Sequence, residues 1–93
     1  MKNVLIETVK EAYKREIEYK QTKNRYENRT NDLNLLLDFK ALKLTNQKQR
    51  DAYIESKLKN TKKLLIKQEV EYHNAIRTFE AYKILVQLEK TEE

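Results

Sequence analysis

Glu69 and His73 stand four positions apart, with Tyr72 beside them, a spacing that puts a carboxylate and an imidazole on one face of a helix. A bound metal ion needs three or four ligands, yet the chain has this single histidine and no cysteine. A solvated histidine paired with a glutamate accounts for the two residues, and neither a metal nor another cofactor is expected. Fifteen carboxylates are present, but acid–base catalysis needs a concave, water-poor pocket that shifts their pKa. A glycine-free helical chain of 93 residues rarely builds one. No catalytic residue is therefore expected, and the protein is not read as an enzyme.

A basic run carries the other candidate chemistry. Lys57, Lys59, Lys62, Lys63 and Lys67 follow one another with no acid between Glu55 and Glu69. Lys59, Lys63 and Lys67 are four apart and so stack on one helical face, where they could contact phosphates. The plainer account is the wet side of a helix, and lysine suits solubility better than bidentate recognition. Tyr13, Tyr19, Tyr26, Tyr53, Tyr72 and Tyr82 are either amphipathic seam fillers with wetted hydroxyls or part of a partner-binding surface.

The elements that position these residues follow from what is missing. The chain contains no glycine and no proline, where ordinary usage would supply about eleven. Tight turns with positive φ and glycine C-caps are therefore hard to make, and long helices remain. Charged residues make up 38% and hydrophobic ones 39%, with mean hydropathy −0.97. One helical pair of that make-up has little core, so self-association is the simplest added stabilisation. Net charge is +5, split evenly along the chain: residues 1–45 carry ten Lys/Arg against seven Asp/Glu, and 46–93 ten against eight. The absence of cysteine rules out disulfides. With no apolar signal segment and no run long enough to span a bilayer, a cytoplasmic location without a membrane partner is expected. Asn28-Arg29-Thr30 fits a glycosylation acceptor, but is taken as chance in an unexported chain.

The expected fold is all-α: a single domain over 1–93 of two long antiparallel helices, a coiled-coil-like hairpin, with helix 1 over about 3–31, a connector over 32–45 and helix 2 over about 46–90. In helix 1, Leu5, Val9, Ala12, Tyr19, Tyr26 and Leu33 form a three-four stripe filled by Glu16, Lys23 and Thr30. Thr30-Asn31-Asp32 is the expected break, because such side chains compete for backbone hydrogen bonds. The leucine-dense stretch from Leu33 to Leu44 forms the hydrophobic connector. Asn46 and Gln49 have the layout of a capping box. Helix 2 then presents Leu58, Thr61, Leu65, Gln68, Tyr72, Ala75, Phe79, Tyr82 and Val86 as its seam.

A reversal near Phe39 sets residue i opposite roughly 78 − i. Helix 1 would then end opposite residues 75–77, and Lys10, Lys14, Arg15 and Lys20 would face the basic run. Phe79, Tyr82, Ile84, Leu85, Val86 and Leu88 would project uncovered, which is unusual on a soluble monomer. They are the expected self-association surface of a dimer or larger bundle.

The segment Thr45-Asn46-Gln47-Lys48-Gln49-Arg50-Asp51-Ala52-Tyr53-Ile54 resembles small accessory proteins of bacteriophage and prophage replication–recombination regions. Those have a charged first helix, an irregular leucine-containing middle, here Leu33–Leu44, and a Thr-x-x-x-(Lys/Arg)-Asp-Ala-Tyr opening to a long second helix. This chain lacks the proline that precedes the second helix in many of them. The resemblance implies an accessory role in phage DNA transactions, or inhibition of a host machine, and transfers no functional residue. Two functions remain open: a non-enzymatic protein–protein interaction module, binding itself and another phage or host protein, and a nucleic-acid-binding accessory protein using the Lys57–Lys67 band.

Overall fold

A computed structural model of the protein describes residues 2–92. Three helices account for nearly all of it: α1 (Lys2–Leu36), α2 (Gln47–Lys57) and α3 (Lys59–Glu92), with no strand among the described residues. α1 does not break at Thr30-Asn31-Asp32 but continues to Leu36. Thr30 Oγ1 donates to Tyr26 O at 2.8 Å and Asn34 Nδ2 to Thr30 O at 3.0 Å. These polar side chains bond back into the preceding turn instead of competing with it.

The reversal lies later than Phe39. Asp38 Oδ1 accepts from the Ala41 amide at 3.1 Å and starts a single turn. Lys43 closes it with φ 59°. Lys43 N donates to Lys40 O at 3.1 Å and Leu44 N to Phe39 O at 2.9 Å, the paired bonds of a Schellman motif. A lysine thus occupies the left-handed position that glycine usually takes, at a cost of about 1–2 kcal/mol. Lys43→Gly relieves that cost but loosens the unfolded chain. It should raise stability by about 0.5–1 kcal/mol, read as a higher urea midpoint with unchanged slope. A loss of stability would mean that the lysine is not strained there.

Asn46 caps α2 as the spacing predicts, its Oδ1 accepting from Gln49 N at 2.8 Å. The return bond reaches one residue further back, from Thr45 N to Gln49 Oε1 at 3.0 Å. Arg50 ties the turn to α2: its Nε donates to Leu44 O at 3.2 Å, and its guanidinium lies 5.0 Å from the Phe39 ring centroid. The expected continuous second helix is interrupted at Leu58, which has φ −105° and ψ 19°. Its amide still donates to Ile54 O at 3.0 Å and its carbonyl accepts from Lys62 at 2.9 Å. The interruption is therefore one residue deep.

The chain divides into two compact units, and α1 and α3 contribute to both. In Gln21–Ile66, the buried residues are Ile54, Leu58, Leu65 and Thr22. The other unit takes α1 up to Lys20 and α3 from Lys67. There the two helices run in opposite directions, since Val4 lines a cavity with Tyr82 while Tyr19 stacks on Tyr72 with centroids 5.8 Å apart. Every residue of the seam expected for helix 2, from Leu58 at the interruption to Val86 in α3, is buried or half-buried. The α1 seam differs in part. Val9 and Lys23 are exposed, and Thr8 and Thr22 turn inward in their place. Thr8 Oγ1 meets its own hydrogen-bond need on Leu5 O at 2.8 Å, so the methyl group can face the seam.

Candidate interaction surfaces

In the unit formed by the two chain ends, Arg15 is the electrostatic centre. Its Nε donates to Glu11 at 2.8 Å, and its Nη1 to Glu71 on α3 at 2.8 Å and to Glu18 at 3.4 Å. The hydrogen-bonded Glu11 carboxylate, with Glu71 and Glu18 nearby, raises the guanidinium pKa above its ordinary value. Lys20 is likewise raised by its bond to Glu16 at 2.7 Å. Lys10 pairs with Glu7 at 3.7 Å and Lys67 with Glu71 at 3.8 Å. The cations of this unit that were expected to flank a basic band are thus largely matched by acids of their own unit.

The pairing register sets what is left bare. Val4, Glu7, Thr8 and Glu11 share a cavity of about 380 Å³ with Ala75, Thr78 and Tyr82. α1 therefore covers α3 as far as Tyr82, rather than ending opposite 75–77, because the reversal comes after Phe39. Phe79, Tyr82 and Val86 are half-buried, while Ile84, Leu85 and Leu88 stay exposed. A second bare face lies on α1, where Ile6, Val9, Tyr13 and Ile17 are exposed. His73 is exposed and its ring lies 5.5 Å from Tyr72, tilted by 33°. Among the described residues, no group of three or more His, Cys, Asp or Glu is placed to hold a metal ion.

Lys57, Lys59, Lys62 and Lys63 belong to Gln21–Ile66, and Lys67 to the other unit. Lys10, Lys14, Arg15 and Lys20 also belong to that other unit. Arg29 meets the start of the run: it lines a groove of about 230 Å³ with Asp32, Leu33, Lys57 and Leu58. Lys57 Nζ lies 5.3 Å from the Tyr53 ring centroid and Lys62 Nζ 5.1 Å from that of Tyr26.

The fold also separates charge. Gln21–Ile66 holds eleven Lys/Arg and five Asp/Glu, a net +6, and the rest of the chain nine against ten, a net −1. All the ion pairs found among the described residues lie in the near-neutral unit. Dividing the sequence at its midpoint hides this, because the fold brings the first helix turns together with the last. The signal was in the sequence, but only the pairing reveals it.

The chain matches no protein-family model, no curated protein and no solved structure. Among the described residues, no helix is long and apolar enough to cross a membrane.

Proposed function

We propose that this is a non-enzymatic helical interaction protein that completes its fold by associating with itself, as a coiled-coil-like hairpin in a dimer or larger bundle. One observation carries the proposal. Among the described residues, Ile54, Leu58 and Leu65 are the buried apolar side chains, whereas fourteen large apolar or aromatic ones are exposed. The accessible surface is 7440 Å², against about 5,700 Å² for a compact monomer of 11.3 kDa. The excess, about 1,700 Å² on one chain, is roughly twice what each partner contributes to a standard protein–protein interface. The resemblance at Thr45–Ile54 suggests an accessory role in a phage, with a phage or host protein as a further partner. Sedimentation equilibrium at micromolar concentration should give a mass at least twice 11.3 kDa. A monomer there overturns the proposal.

A second activity, nucleic-acid binding, is favoured by the charge separation. Gln21–Ile66 carries eleven basic residues against five acidic ones, with no ion pair between them, and its net +6 suits contact with phosphates.

A further inference from the structure

Charge decides which unit can meet its own copy. Two copies of Gln21–Ile66, each at +6, repel one another, whereas the other unit, at −1, does not. Within that near-neutral unit the exposed aliphatics of α3 do not form one continuous stripe: His73 and Arg77 separate Val70 from the short group Ile84, Leu85 and Leu88. On α1, Ile6, Val9, Tyr13 and Ile17 recur every three or four residues and so share one face. Tyr13 is 65% exposed and Ile6 51%. Val9, Tyr13 and Ile17 line a shallow groove of about 430 Å³ together with Lys10, Lys14 and Glu18. Val9 and Tyr13 also border a smaller one, of about 180 Å³, whose α3 wall includes Ile76 and Phe79. The apolar surface is therefore wider than a single helix.

We infer that a second copy of this chain covers that face, α1 against α1, antiparallel about a two-fold axis near Glu11. The inference rests on the self-association proposed above and specifies its location and geometry. Such a pairing sets Ile6 against the partner's Ile17 and Val9 against the partner's Tyr13. On the flank it brings Glu7 to the partner's Lys14, twice by symmetry. Among the described residues no carboxylate lies within 4 Å of Lys14, and the Glu7 side chain is 73% exposed. A parallel pairing would offer Lys14 the partner's Glu16, which Lys20 holds at 2.7 Å, a tighter bond than the 3.7 Å contact of Lys10 with Glu7.

The natural chain has no cysteine, so introduced thiols report without background. The double variant Val9→Cys/Tyr13→Cys should oxidise to a covalent dimer, while neither single variant does. Tyr13→Glu, at an exposed position, should keep its helical circular dichroism and weaken the dimer roughly 100-fold. A monomeric wild-type chain removes the self-association on which the inference rests. A wild-type dimer unaffected by Tyr13→Glu overturns only the α1 face. Cross-linking of either single variant alone overturns the antiparallel geometry.

Discussion

Leu58→Ala should lower stability by about 3 kcal/mol, and Ile54→Ala by a similar amount, the largest losses expected from trimming side chains in this protein. Leu58 is 4% exposed and Ile54 3%, and with Leu65 they are the buried apolar residues among those the structure describes. Truncation removes the transfer free energy of the lost methyl groups and leaves a cavity that α1 can close only in part. A domain of this kind has about 5–15 kcal/mol in total, so one such change is a large fraction of it. Leu35→Ala is the control. Leu35 is 83% exposed, so the same chemical change should cost little. Urea unfolding followed by circular dichroism measures all three variants. Equal midpoints for Leu58→Ala and Leu35→Ala would show that Leu58 is not a core residue in solution.

Nucleic-acid binding, if Gln21–Ile66 performs it, should be steeply dependent on salt. Arg29, Lys57, Lys59, Lys62 and Lys63 are the cations grouped there by the register and the basic run. Four or five phosphate contacts release as many counterions, so affinity should fall about 10²–10³-fold between roughly 50 and 200 mM salt. Lys59→Gln/Lys63→Gln should weaken binding and reduce the slope by about two contacts. Lys67→Gln should leave the slope nearly unchanged, because Lys67 is spoken for by Glu71 in the other unit. Fluorescence anisotropy with labelled duplex and single-stranded DNA reads both effects. No binding to either at low salt removes this activity and leaves self-association untouched.

How much the sequence disclosed depends on which force decided each position. The α3 seam was legible because its apolar and aromatic side chains keep three-four spacing, which carries Thr61 and Gln68 inward with them. The α1 seam was only half legible. Hydropathy favours Val9 and a charged Lys23 gave no reason to look one residue back, yet Thr8 and Thr22 are the inward residues. Helix back-bonding, which satisfies the Thr8 hydroxyl locally, is invisible to any count of apolar residues. The same chemistry hid the true end of α1: Thr30, part of the expected break, bonds back to Tyr26, and Asn34 bonds back to Thr30. That error moved the reversal, and with it the register, the partners of the basic run and the extent of the bare α3 end. Asn46 was legible because a cap is a local device. The left-handed Lys43 was not, because tertiary packing and two backbone bonds hold it against its own preference.

The stacked rings of Tyr19 and Tyr72 have a practical consequence. The chain has no tryptophan, so its near-ultraviolet absorption and emission come from six phenols and two phenylalanines. Two phenols at 5.8 Å, inclined by 22°, couple their excited states and quench one another. Separating α1 from α3 at that level should brighten emission and erase the dichroic band of the pair, an intrinsic optical gauge that no dye need supply.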